Sequence, residues 1–430
     1  MLSSLHFMRS RRIALVAVLC AALLLTLVGV GWRVTAVHAA SVPASAQQIK
    51  AVGSRNGHMA SQNVVVQTDW PQPRFDVQGT GYNPFERVIS PLNVTSLTWD
   101  WKFSAGSSLT APVIANGTVF FGASYSHVFY ALKASTGAEL WSFTAGDILA
   151  SAPAVANGVV YFGSTDHNVY ALNAATGTEL WSFTTGWAVA TPALVANGAV
   201  YIGSADDSFY ALDAATGAKL WSFATGSYIQ SGAALANGIV YFTSSDQNIY
   251  ALNASTGAKL WSFHLGSSAS SSPAVVNGIV YVGSGDDHLY ALDANTGAKL
   301  WTFATSNTVW TAPAVANDVV YFGDIDGNVY ALNATTGAKL WLFFTGIESD
   351  GVTSAPTVAN GVLYISSVNG IQYQLNANTG AKLRAFYVGN ASPVVVNGMV
   401  YIGSDNGNMY ALHPSCIVRC PVVPAKQSEP

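Results

Sequence analysis

Apolar and polar residues alternate along this chain in short runs of five to seven, and the runs come in sets of four. One set spans Ser151 to Phe183 as SAPAVA, VVYFGS, NVYALNA and ELWSF. Alternation with period two over such lengths predicts half-buried strands, not helices. Asn157-Gly158 separates the first two runs, and that dipeptide favours a two-residue hairpin because both residues accept positive φ. Asp166-His167-Asn168 and Ala175-Thr176-Gly177 separate the others. The whole set recurs every 40 residues or so, with its tyrosine at 130, 170, 210, 250, 290, 330, 373 and 410. A repeat of this length marks a solenoid, a propeller or an array, and four antiparallel strands per unit form the blade of a β-propeller.

The ends of the repeat decide between these. A solenoid needs atypical caps. Here the tryptophan-bearing fourth strand appears at Trp101, before the first complete set, and is missing after Tyr410. Strand 97–103 is therefore expected to complete the last blade. The prediction is an all-β, eight-bladed propeller over residues 69–413, closed by its own termini so that the ring has no free end.

The flanks read differently. Arg9, Arg11 and Arg12 precede an apolar run from Ile13 to Trp32, and Val37-His38-Ala39 offers small residues for cleavage. Residues 1–40 have the plan of a secretory signal, with a retained N-terminal membrane anchor as the competing reading, since ~20 apolar residues can span a bilayer. Residues 41–68, rich in Ala, Ser, Gln and Asn, read as a flexible linker, and 414–430 as a Pro-rich tail. The repeats are expected outside the cytoplasm (secreted, periplasmic or at the cell surface), where Cys416 and Cys420 can pair locally. A CxxxC pair without nearby histidines is a poor metal site.

Charge narrows the function classes. Only 9% of the 430 residues are charged, and the net charge of −4 argues against a nucleic-acid partner. HExxH, GxSxG, CxxC and a phosphate loop are all absent from the sequence. His127, His167 and His288 occupy equivalent loops in different blades and read as turn residues, not as a joint metal site.

Trp141, Trp181, Trp221, Trp261, Trp301 and Trp341 recur in register with Trp101. Burying one removes ~150–250 Å² from water, worth roughly 4–6 kcal/mol at ~25 cal/mol per Å², so these seven are assigned to blade packing. The surrounding motif, ALNAATGTELW at 171–181 and ALDAATGAKLW at 211–221, resembles the tryptophan-docking motif of the pyrroloquinoline quinone (PQQ) repeat family. The lead-in DW…TGYNP…L…W is also similar to that superfamily's entry segment. The resemblance spans about residues 69–413 and implies the eight-bladed fold. It does not imply one activity: the family holds quinoprotein alcohol dehydrogenases, the outer-membrane assembly lipoprotein and cofactor-free binding domains. The seventh unit departs from the pattern. It carries Arg384 at the tryptophan position, three extra residues within 346–352 and a shortened connection at 388–391.

Comparison of the copies separates two faces. The first-to-second and third-to-fourth connections repeat almost word for word, whereas the fourth-to-first and second-to-third connections vary. The variable face carries Asp147, Trp187, Tyr228, Gln230, His264, Trp310, Glu348, Asp350 and Asn390, the candidate partner-binding residues. By this assignment twelve of the 22 acidic residues and none of the 18 basic ones fall on it, so it should be acidic and favour cations. The competing reading of its turn aspartates is that they bond their own backbone. PQQ has three carboxylates that need cationic or hydrogen-bonding partners, and a Ca²⁺ ion held by acidic and amide oxygens would supply one. The variable face offers acids for that ion and Trp310 as a stacking surface, but only Arg74 and Arg87 of the entry segment as cations. The adjacent cysteine pair of many quinoprotein alcohol dehydrogenases is missing. The expectation is a monomeric, non-catalytic, cofactor-free binding or scaffold module for a protein or cell-envelope ligand, touching a membrane only through its N-terminal segment. The alternative is a PQQ- and Ca²⁺-dependent dehydrogenase of alcohols or sugars.

Overall fold

A computed structural model of the protein describes residues 69–346 and 351–415. The signal or anchor, the linker, Glu348, Asp350, Cys416 and Cys420 lie outside the described residues. Within them the chain forms eight four-stranded antiparallel blades in sequence order, an eight-bladed propeller in which the sheet of blade 7 gains a short fifth strand. Blade 2 shows the plan: Ala154–Ala156 innermost, then Val159–Gly163, Asn168–Asn173, and Glu179–Thr184 outermost. Closure is as expected from the missing fourth strand. Leu97–Ser104 pairs antiparallel with Asn408–Pro414 and supplies the outer strand of blade 8.

Each hairpin between the first two strands is an Asn-Gly pair, or Asn317-Asp318, with both residues at positive φ. That is the turn whose twist matches paired strands. Hydrophobic clusters fill the spaces between blades, so the core is a set of interblade layers and not one mass.

The tryptophans dock across these layers. In all seven the indole N–H donates to a backbone carbonyl of the following blade: Trp101 to Ala134, Trp141 to Ala174, and so on round to Trp301 with Ala334 and Trp341 with Ala377. The ring lies against the glycine of that blade's Thr-Gly turn. Gly257 has φ 72°, and a Cβ there would stand 2.7 Å from Trp221 Cδ2. The glycine therefore answers two demands, a left-handed backbone and a close aromatic neighbour.

The expected full burial of these rings needs correction. Trp181 and Trp261 are buried, at 9% exposed. Trp101, Trp141, Trp221, Trp301 and Trp341 are only part-buried. The reason is position: the tryptophan sits on the outermost strand, at the rim of the ring, where only the next blade covers it. The burial energy above is an upper value for these five.

Arg384 departs from the pattern for a visible reason. Blade 8 has no Thr-Gly turn, since its outer strand comes from the other end of the chain. A tryptophan in blade 7 would have nothing to dock on. Arg384 instead donates to the carbonyls of Leu97 (2.6 Å) and Thr95 (3.2 Å), beside the closing strand.

Residues 69–83 do something the repeat does not foretell. They run around the channel wall and meet the middle residue of every inner strand in turn. Trp70 and Ile114 exchange backbone bonds. Val155, Leu235, Val275, Val315 and Val358 donate to the carbonyls of Pro71, Val77, Gln78, Thr80 and Gly81. The Gln72 side chain bonds both backbone groups of Val195, and Asn83 Nδ2 donates to the carbonyl of Val395. Tyr82–Asn83 pairs parallel with Thr357–Ala359. Inner strands leave backbone groups facing the channel, and this segment satisfies them blade by blade.

Candidate functional site

The entry segment lies toward the invariant face. The Asp69 carboxylate accepts from Asn116 N, Glu86 from Gly398 N, and the carbonyl of Ile89 from Asn360 Nδ2, all at first-to-second hairpins. The channel is thereby floored from that side. What remains open on the variable face is a central funnel of about 230 Å³. Its floor is Trp70, Pro73 and Arg74. Its wall is the start of the inner strands of every blade but the fourth, including Pro112, Pro192, Pro356 and Pro393, with Ser270, Ser272 and Trp310. Proline suits this position because it leaves no N–H unpaired at the channel mouth.

Arg74 is the cation of the funnel. Protein surrounds it, and desolvation lowers its pKa to about 10 against the opposing charge of Asp76. Its Nη1 donates to the carbonyls of Ser272 and Pro273, its Nη2 to that of Pro313, and its Nε has no partner. Both terminal nitrogens thus already donate to backbone. Arg87, the other candidate cation, lies outside the funnel, exposed, with Nη1 on the carbonyl of Glu86.

The turn aspartates of the variable face have structural work. Asp166 accepts from Tyr170 Oη and Gly146 N, both at 2.7 Å, and from Asn168 N at 2.9 Å. Asp206 and Asp246 make the same set with Tyr210 and Tyr250, and Asp324 meets Tyr330. Burial, reinforced by the adjoining carboxylate, raises Tyr170 and Tyr210 to about 12. Burial pushes Asp246 up, but the donors around it outweigh that and hold it below the usual value. The backbone-bonding reading of these acids therefore accounts for their position, and their tyrosine partners, fixed by the YAL motif, went unread. His127 and His167 occupy a turn position with φ of 61° and 76°, as turn residues should.

The candidate residues are distributed around the ring. Trp310 lines the funnel and is 50% exposed. Gln230, exposed, accepts weakly from Ser270 Oγ at its rim. Trp187 is 60% exposed and stacks on His167 with ring centres 5.2 Å apart. Asp147 accepts from Ile148 N and lies 3.7 Å from His127 Nε2. Tyr228 is 43% exposed. His264 ends the outer strand of blade 4, not a loop, and Asn390 is half-buried. Sequence reasoning missed the floor of the funnel, Trp70 and Pro73, whose only signal was the unperiodic lead-in. Among the described residues no three acidic, histidine or cysteine side chains converge on a metal position. One guanidinium with its terminal nitrogens already engaged does not match a tricarboxylate. Among the described residues the funnel thus offers one cation, already bonded to backbone, with the hydroxyl-bearing Ser270 and Ser272 beside it.

Fold and motif together define a PQQ-repeat β-propeller. The family model for the outer membrane protein assembly factor BamB matches residues 45–206, 126–236 and 205–415, and the chain belongs to this PQQ-repeat family. A comparison with curated proteins finds no match. Among solved structures, BamB from Moraxella catarrhalis is 21% identical with a TM-score of 0.65, covering 74% of this chain and 99% of its own. The computationally designed Ika8 protein is 22% identical at 0.65, covering 72% and 97%. Quinohemoprotein alcohol dehydrogenase from Comamonas testosteroni is 16% identical at 0.70, covering 84% and 82%. At these identities the likeness is one of fold.

Proposed function

We propose that this chain is a non-catalytic, extracytoplasmic binding or scaffold module that engages a protein or cell-envelope ligand through its variable face. One observation carries the reading. Trp187, Tyr228 and Trp310 stand 43–60% exposed on connections anchored by rigid blades, and other connections of that face carry exposed or part-exposed acids such as Asp147 and Asp207. Exposed aromatics on a rigid frame are a common form of binding anchor. The family's description as an assembly factor of the outer membrane supports an envelope location and a protein partner.

The second reading, a PQQ- and Ca²⁺-dependent dehydrogenase, is favoured by Trp310 and Arg74 sharing the funnel. Calorimetry with PQQ and Ca²⁺, followed by dye-linked alcohol oxidation, separates the two. Saturable binding with turnover would overturn the binding-module reading. Under that reading, Trp187→Ala with Trp310→Ala weakens capture of envelope components at least tenfold, since two anchors at ~1–2 kcal/mol each are removed, and leaves Tm unchanged.

A further inference from the structure

Blade 7 breaks the repeat in the row of side chains that faces blade 8. In blades 2 to 6 one register row holds Tyr, Ala and Trp across the second, third and fourth strands, as with Tyr161, Ala171 and Trp181. In blade 7 the same row reads Tyr364, Gln374, Arg384. The Ala and the Trp are thus replaced together, each by a side chain that ends in hydrogen-bonding groups.

The cause lies in the acceptor that this row uses elsewhere. The carbonyl of Ala214, after the third strand of blade 3, accepts from both Trp181 Nε1 and Tyr161 Oη at 3.0 Å. Tyr201, Tyr241 and Tyr281 donate likewise to Ala254, Ala294 and Ala334. The corresponding residue of blade 8 is Pro414, which continues its strand opposite Leu97 and whose carbonyl lies 2.9 Å from His413 Nδ1. Tyr364 and Gln374 are both fully enclosed, at 0% exposed. Tyr364 sits in an apolar layer with Ile89, Leu97, Val400 and Leu412, and its pairing with Gln374 puts both on one side of the sheet. The Tyr364 hydroxyl and both polar atoms of the Gln374 amide find no partner among the described residues. Gln372, on the same strand and equally enclosed, does find them: it accepts from Ser366 Oγ and donates to the carbonyl of Tyr373. Burial, reinforced by the charge of Glu86, holds the Tyr364 hydroxyl well above its usual pKa, so it keeps its proton to donate. Polar atoms enclosed without a protein partner are costly, and water held between them is the common remedy in protein interiors.

We propose that the layer between blades 7 and 8 is a binding site for enclosed water, hydrogen-bonded to the Tyr364 hydroxyl and the Gln374 amide in the row where other layers dock an indole. Water suits both groups because it donates and accepts, as the two unlike atoms of the amide require. The test is water oxygen-17 relaxation dispersion, which registers long-lived internal water, on the full chain and on the full-chain double variant Tyr364→Phe with Gln374→Met. Tyr281→Phe, whose hydroxyl is already paired, is the control. The dispersion amplitude falls in the double variant and holds in the control. Equal amplitude in parent and double variant overturns the proposal, as does an equal fall in the control. If the double variant does not fold, a crystal structure of the parent decides. Ordered water within hydrogen-bonding distance of both groups supports the site, and an amide bonded directly to protein, or without ordered water, overturns it.

Discussion

A single tryptophan shows how little of this fold is local. Trp221 is set by the outer strand of blade 3, but its N–H bonds Ala254 and its ring rests on Gly257, both in blade 4. Trp221→Ala should cost about 3 kcal/mol by urea unfolding, the lower end for a buried tryptophan since this one is part-exposed. Partner binding per folded molecule should be unchanged. The Asp–Tyr pairs set a pH limit. Tyr170 and Tyr210 ionise near 12 in the fold but near ~10 when unfolded. Their contribution is full below the lower value and lost as pH rises through the upper one. Tm should therefore fall between those values, with tyrosinate absorbance at 295 nm lagging behind that of the unfolded chain. An absorbance rise coincident with free tyrosine would refute this. The tyrosines and tryptophans were legible because each recurs eight or seven times. Their partners were not, because a repeat shows what recurs but not which neighbouring copy it touches. For the same reason the sequence overstated the burial of rings such as Trp301, whose repeat position does not reveal that its strand is the outermost.

At the scale of the element, each strand was legible from alternation and each hairpin from Asn-Gly, as was the strand that closes the ring. What escaped was the lead-in. Residues 69–83 have no period because their partners are eight different blades, met by backbone groups that carry no side-chain signature. Arg384 lies between these cases: its departure from tryptophan was plain in the sequence, its cause only in the closed ring. Arg384→Ala should cost about 1.5–3 kcal/mol, the usual value of hydrogen bonds to a charged group, and hydrogen exchange should rise first in Leu97–Ser104. Arg384→Trp should not restore stability, since blade 8 offers no Thr-Gly turn. A Trp variant as stable as the parent would contradict that account.

For the whole molecule, the segment on the channel wall ties all blades to one stretch of backbone. Gly81 is its tightest point, at φ 62° with Pro356 O 2.9 Å from where a Cβ would stand. Gly81→Ala should destabilise by about 1–3 kcal/mol from the backbone conformation alone, and lower the Tm of a single transition without creating a separate one for blades 6 and 7. The division into two faces was readable before the fold was seen. The funnel's floor was not, because it belongs to the segment without a repeat.

That segment also sets a timetable. Residues 69–104 leave the ribosome before any blade, yet their last partners, Val395 and Asn408–Pro414, are made some three hundred residues later. Until then the closing strand and part of the channel lining have no home. Contacts this distant along a chain form late and slowly. The protein behaves as a purse with its drawstring threaded first: it cannot be pulled shut until the final stitch is in place, and a chain cut short by one blade should stay open, with its inner edges exposed to aggregation.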